Sequence, residues 1–248
     1  MKMRNWKAVL GLVAVLMASP AYGAFNEIET TTTLNLLLTG TNNALVVGDK
    51  VFANFTYNQT CGIQTGGFGA CTPTDASLIN VIPQDIDPLL HGFRLQTLFS
   101  VAGSNIFNDI LISYEVWSLE QLISDLHLVA NMALIPNDNV GFLGITEHAI
   151  DDGGNDYLLN VYNPPLQASD SVDIFPYVTH LTVTKDIKMS LYTSTNEACV
   201  NGSLSGCGRA TMSYIDQLYS QTPIPEPGAI FLLGTGLLLT AGYLKRYV

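Results

Sequence analysis

Positive charge is scarce in this chain. Its 248 residues carry 10 Lys and Arg against 21 Asp and Glu, a formal charge of −11. Ten dispersed basic residues do not neutralise a phosphate backbone, which excludes nucleic acid as a partner. Charge of either sign is sparse at 12%, whereas 48% of residues are hydrophobic. A disordered chain would show the reverse balance. Only two Trp occur, Trp6 and Trp117, which weakens any reading built on a tryptophan platform for sugars. Catalytic signatures are missing too. There is no GxSxG, HExxH, Walker or GxGxxG pattern, and the Gly202 to Gly206 stretch has the residues of a nucleophile elbow at the wrong spacing. His91, His127, His148 and His180 are dispersed and read as strand-surface histidines. No catalytic residue, cofactor or metal ligand is assigned, and the chain does not read as an enzyme.

Long apolar runs occur only near the two ends. Lys2, Arg4 and Lys7 precede the apolar stretch from Ala8 to Met17, and small residues with a proline follow it. That order is a secretory signal peptide, spanning residues 1–23. A ten-residue run makes a helix of about 15 Å, half of the roughly 30 Å hydrocarbon core, so it is too short to anchor. Cleavage fits after Ala21 or Gly23, and Gly23 is favoured. Removing the segment removes three basic residues and no acid. The exported body, residues 24–222, then holds five basic and twenty acidic residues. Such a surface stays soluble and repels anionic partners.

The other end runs from Pro225-Glu226-Pro227 through the apolar segment 229–244 to Lys245 and Arg246. Sixteen residues give about 24 Å of helix, marginal for a membrane span. Gly234, Gly236 and Gly242 suit a membrane helix better than a soluble one. Lys245 and Arg246 act as the membrane stop and hold the C-terminus on the cytoplasmic side. The two prolines keep the preceding stretch extended and accessible. This order resembles the PEP-CTERM sorting signal, also catalogued as the ice-binding protein C-terminal domain. The resemblance implies residues 223–248 as a sorting signal with a transmembrane helix over 229–244. It also implies exosortase, a membrane protease, as a partner, with transient inner-membrane anchoring before release or re-anchoring.

Between the ends, period-two alternation dominates. It predicts strands over 93–99, 109–116, 125–134, 44–47, 51–57, 77–82, 142–150, 157–162, 178–185, 187–192 and 209–215. Thr30 to Leu38 fits a short helix or a first strand equally well. Gly48-Asp49, the 137–139 segment and the 152–155 segment supply turn chemistry. The fold class expected is all-β: a single jelly-roll-like β-sandwich as the ectodomain. The segment from Val47 to Tyr57, that from Val183 to Ile187, and that from Ser213 to Gln221 are similar to a recurrent group of PEP-CTERM ectodomains. That likeness brings no biochemical activity with it. Residues 60–76 and 194–208 stand apart as cysteine-bearing insertions.

Four cysteines, Cys61, Cys71, Cys199 and Cys207, admit three pairings. Pairing sequence neighbours gives Cys61–Cys71 and Cys199–Cys207, each closing a Gly-rich loop. Export makes disulfides the expected state. Zinc is disfavoured, because there is no CxxC and no His near either pair. The acidic run from Asp151 to Asp156 offers hard ligands for Ca²⁺ but lacks EF-hand spacing, and reads first as a hairpin turn. Asn54, Asn58 and Asn201 head sequon patterns that are incidental in a bacterial export context.

These readings point to an exported bacterial surface or extracellular-matrix protein, sorted and processed by exosortase. Its ectodomain would be structural or adhesive, within extracellular polysaccharide. The alternative is a carbohydrate-binding module or a degraded hydrolase on the same sandwich. Exposed aromatics on one sheet face, or paired carboxylates in a cleft, would favour that alternative. Ice binding needs a repetitive Thr-rich face, and Thr30 to Thr33 is one run rather than a ladder.

Overall fold

The computed structural model describes residues 25–223 apart from 74, 136–140, 195–198, 200, 202–203 and 205–206. The signal peptide, Pro225-Glu226-Pro227, the 229–244 segment, Lys245 and Arg246 lie outside the described residues. No helix among the described residues is long and apolar enough to cross a membrane.

The body is built of strands. In chain order they are β1 (Asn26–Ile28), β2 (Thr32–Thr33), β3 (Asn43–Val47), β4 (Lys50–Thr72), β5 (Asn80–Asp87) and β6 (Leu90–Ser118). There follow β7 (Gln121–Ile135), β8 (Gly141–Asp151), β9 (Asp156–Asn163), β10 (Ser169–Val178), β11 (His180–Leu191) and β12 (Gly208–Pro223). One short helix, α1 (Leu34–Thr39), buries Leu34 and Leu37 against the strands. The ambiguous Thr30 to Leu38 stretch thus resolves into both a two-residue strand and a helix.

All twelve strands belong to one hydrogen-bonded sheet, and β6 is its spine. The first part of β6 pairs with β5 on one side and β12 on the other. Its second part pairs with β4 and β11. Burial records the change. Phe93, Leu95, Phe99 and Val101 are buried at odd positions, then Ile106, Ile110, Ile112, Tyr114 and Val116 at even ones. A one-residue shift in phase turns the opposite face of a strand inward. The shift falls at Gly103 and Asn105, both at positive φ. A Cβ on Gly103 would sit 2.2 Å from the Phe68 carbonyl oxygen, so only glycine fits this crossing.

The sheet therefore folds over into two facing layers. In one, β2, β5, the start of β6, β12, β7 and β10 lie side by side. In the other, β1, β3, β4, the end of β6, β11, β8 and β9 do so. Their inner faces close on one hydrophobic cluster. At its centre Phe52 meets Phe93 edge-on at 5.0 Å, Phe55 stacks on Tyr114 at 5.3 Å, and Phe52 lies 5.5 Å from Tyr219. Such pairs add roughly 0.5–1.5 kcal/mol each beyond area burial.

Several boundaries differ from the alternation pattern. Segments 93–99 and 109–116 are parts of one strand, because the Gly103 and Asn105 region bends the chain without ending the ladder. Residues 180–185 and 187–191 of the next two segments likewise form one strand, with Asp186 on its outer phase, while Val178 ends β10. The 77–82 segment starts as a 3-10 turn over Ala76–Leu78, capped by the Asp75 side chain, before β5 begins. Residues 60–72 extend β4 and are not a looped insertion. β1 and β10 were not visible in the alternation: β1 is three residues long and β10 carries charged outer positions and Pro176.

Candidate functional site

Two lysines are wholly buried between the layers, and both reach the same strand. Lys185 on β11 and Lys50 on β4 have no exposed surface. Each donates to a glutamine of β12, Lys185 to Gln217 Oε1 and Lys50 to Gln221 Oε1. Each also pairs with a carboxylate, Lys185 with Glu147 on β8 and Lys50 with its neighbour Asp49. Gln217 and Gln221 sit on the same inner face of β12 as Ile215 and Tyr219. The same trio of amine, carboxylate and amide thus occurs twice along one strand.

The Lys185 trio is sealed. Lys185, Glu147 and Gln217 are all fully buried, and the lysine ammonium position lies 5.9 Å from the Tyr114 ring centre. The Tyr114 and Tyr219 hydroxyls share a hydrogen bond of 2.7 Å beside it. Burial drives both phenols well above their usual pKa. Burial also raises the Glu147 pKa against the opposing pull of Lys185 and Gln217. It lowers that of Lys185 against the pull of Glu147. Both shifts favour the uncharged forms. Gln217 lies close enough to Glu147 and Tyr219 to influence both. Yet Gln217 Nε2 and Glu147 Oε1 complete no hydrogen bond of good geometry. A buried polar atom left this way costs about 1–3 kcal/mol.

The Lys50 trio is wired differently. Asp49 Oδ2 accepts from Ser118 Oγ at 2.9 Å, Gln121 N at 3.1 Å and Glu120 N at 3.4 Å. Burial pushes the Asp49 carboxyl up, but Lys50 and these donors more than reverse that, so its pKa falls. Burial lowers the pKa of Lys50, opposed by Asp49. Gln221 Nε2 donates to the Pro88 carbonyl at 2.9 Å. This trio borders an open cleft of about 420 Å³ whose wall includes Asp85, Asp87, His91 and Glu120. His91 Nδ1 lies 2.9 Å from Asp85 Oδ1, with only 7% of the imidazole exposed. Gly48, at φ +58, passes beneath that ring, where a Cβ would be 2.5 Å away.

The residues singled out from sequence fall in separate places. Disulfides join Cys61 to Cys71 within β4 and Cys199 to Cys207 ahead of β12. The histidines are spread over the surface and the cleft, each beside an aspartate: His91 with Asp85, His127 with Asp125, His148 with Asp156 and His180 with Asp152. The run from Asp151 to Asp156 is a hairpin turn. Asp151 accepts from the Asn155 backbone and side-chain amides and from Tyr157, while Asp152 and Asp156 face histidines. Among the described residues no cluster fit to hold a metal ion occurs.

Sequence reasoning missed both trios, although a signal exists. Lys185 is in phase with Leu181, Val183, Ile187 and Met189, and Glu147 with Leu143, Ile145 and Ala149. A charged residue on the apolar phase of an alternating strand marks a buried charge. A further feature is an aromatic pair on the edge strand β10. Phe175 is 82% exposed and Tyr177 48%, with ring centres 6.3 Å apart.

No protein-family model matches the chain, and no curated protein matches it. Among solved structures, TmCBM61 in complex with beta-1,4-galactotriose is 9% identical at a TM-score of 0.27, over 66% of this chain and 88% of that one. The enzymatically active domain of tailspike protein 4 from bacteriophage CBA120 is 12% identical at a TM-score of 0.22, over 65% of this chain and 19% of that one. At these values the likenesses carry no argument about what this chain does.

Proposed function

We propose that the chain is an exported bacterial surface or matrix protein whose body is a single jelly-roll-like sandwich with a structural or adhesive role. In this reading a signal peptide directs export, and a PEP-CTERM tail holds the protein in the inner membrane until exosortase processes it. The observation that carries the reading is the setting of β12. This strand runs directly into the Pro225-Glu226-Pro227 segment, and it is paired on both sides, to β6 and to β7. Force applied through the tail would load two antiparallel ladders along their length, together with the two buried lysine contacts. A body tethered by its last strand needs such a hold. The two disulfides fit an oxidising compartment.

The test is Glu226→Ala in the full chain, compared with wild type in cells with and without exosortase. Wild type is expected to lose its tail only when exosortase is present, and the variant to accumulate at full length in the inner membrane. Equal processing of both chains, or processing without exosortase, overturns the sorting reading.

A second reading is favoured by the exposed Phe175 and Tyr177. The two rings face solvent beside Ser171 and Asp173 on one strand and stand nearly perpendicular, at 83°, so each offers a sugar its own apolar surface with hydrogen-bonding groups beside it. The double variant Phe175→Ala, Tyr177→Ala is expected to abolish retention on extracellular polysaccharide with its circular dichroism unchanged. Unaltered retention removes this surface from the function.

A further inference from the structure

The sealed trio at Lys185 holds the parts of a covalent bond-forming centre. Lys185 Nζ touches Gln217 Oε1, one bond from the amide carbon, and touches Glu147 Oε2 on its other side. All three side chains are excluded from water. The two atoms left without a proper hydrogen bond are Gln217 Nε2 and Glu147 Oε1. We propose that Lys185 and Gln217 join in an intramolecular isopeptide bond, with Glu147 relaying the proton and ammonia leaving. This goes beyond the sorting and adhesive reading and does not depend on it.

The balance closes without an oxidant or cofactor. The lone pair of the neutral Lys185 amine adds to Gln217 Cδ, and the carbonyl electrons move onto Oε1. Glu147 takes a proton from Nζ through one oxygen and delivers one to Nε2 through the other. Collapse restores the C=O bond, breaks the Cδ–Nε2 bond and expels ammonia. One amide is consumed, one is formed, and Glu147 ends as it began. Amines and amides do not exchange this way in water, but fixed neighbours react with effective molarities of about 10⁵–10⁸ M. The dry surroundings disfavour an ammonium and a carboxylate side by side, which pushes Lys185 toward the free amine and Glu147 toward the protonated acid. The bond also removes one of the two poorly satisfied atoms, since the NH₂ group departs, while the new N–H keeps the donor that already faces Glu147.

The Lys50 trio supplies the internal control. Asp49 is fixed by three donors besides Lys50, and Gln221 Nε2 is already paired with Pro88. The Asp49 pKa is lowered where that of Glu147 is raised, and neither Asp49 nor Gln221 has an atom free to relay a proton, so no bond is expected there.

The experiment is peptide mapping of the exported full chain after denaturation and reduction. Trypsin should fail to cut after Lys185, and the 95–188 peptide should appear joined to the peptide that begins at residue 210. The joined mass should be the sum of the two less one ammonia. Lys50 should be cut normally. In Glu147→Gln the joined species should fall at least tenfold and cutting after Lys185 should return. Linear peptides in wild type, with cleavage after Lys185, overturn the proposal whether or not the variant folds. A Lys185–Glu147 link, recognised by loss of water in place of ammonia, overturns the assignment to Gln217.

Discussion

The two buried trios along β12 share their chemistry and differ in what holds the carboxylate. Asp49 sits in the turn between β3 and β4 and collects N–H and O–H donors from the start of β7 and the end of β6. Glu147 is in mid-strand on β8, where the neighbouring backbone amides already serve the ladders to β9 and β11. A carboxylate at a turn finds free backbone donors, and one inside a sheet does not. The first is therefore a solvated-style ion pair brought indoors. The second is an acid and an amine that burial pushes toward neutrality. A buried charge is defined less by its depth than by the backbone beside it.

The comparison is broken most forcefully by removing one lysine at a time. Lys185→Ala strands two buried polar groups, Glu147 and Gln217, and is expected to cost about 1–3 kcal/mol for each of them. Lys50→Ala leaves Asp49 with three donors and should cost about 1–3 kcal/mol. Urea denaturation midpoints of the two variants decide the order, and equal losses would show that the Asp49 donors contribute nothing.

Disulfide removal is expected to come next in size. The Cys61–Cys71 and Cys199–Cys207 bridges span 10 and 8 residues. Each should contribute somewhat under 3 kcal/mol, given the weak dependence on loop length. Both lie far from Glu147, so the losses of Cys199→Ser with Cys207→Ser and of Lys185→Ala should add.

Acid separates the trios by sign. The Asp49 pKa is depressed in the fold, so its stabilising share is present above the ordinary Asp value and lost as pH falls through the folded one. The Glu147 pKa is raised, so its cost appears above the ordinary Glu value and is relieved by acid. From pH 5 to pH 2, Asp49→Asn should flatten the fall in denaturation midpoint, whereas Glu147→Gln should steepen it slightly, because the relief that acid brings to Glu147 is gone. Matching acid limbs would erase the distinction.

The smallest effect belongs to the edge aromatics. Phe175→Ala and Tyr177→Ala should each change stability by no more than about 0.5 kcal/mol, as exposed positions do. A larger loss would mean that the β10 edge belongs to the core.

Much of this was legible in advance. Alternation located β8, β9 and most of β11, because each keeps one phase from end to end, and it located β7 from residue 125 onward, past the phase change between Ile123 and Leu126. It split β6, since the phase reverses at Gly103 and Asn105, and glycine with asparagine reads locally as a stop. Only the partners on either side, β4 and β12, show that the ladder continues. The lysine trios were legible singly, as charges on an apolar phase. Their grouping was not, because Lys185, Glu147 and Gln217 are brought together by pairings 32 and 38 residues apart. The aromatic pair was hidden by Pro176, which breaks the strand pattern where the rings turn outward.

The position of β12 also sets the order of events in time. Its partners β6 and β7 are adjacent in sequence, yet they do not pair along their length; each pairs with β12. Until residues 208–223 arrive, one layer has a slot down its middle, with two open strand edges and the apolar core behind them. Chains dominated by such distant pairings fold slowly, on the order of milliseconds to seconds. A polypeptide threaded N-terminus first delivers this closing strand last. The body therefore cannot finish folding until its C-terminal end has emerged, and the slot marks the interval in which a chaperone, a protease or a second copy finds the protein open.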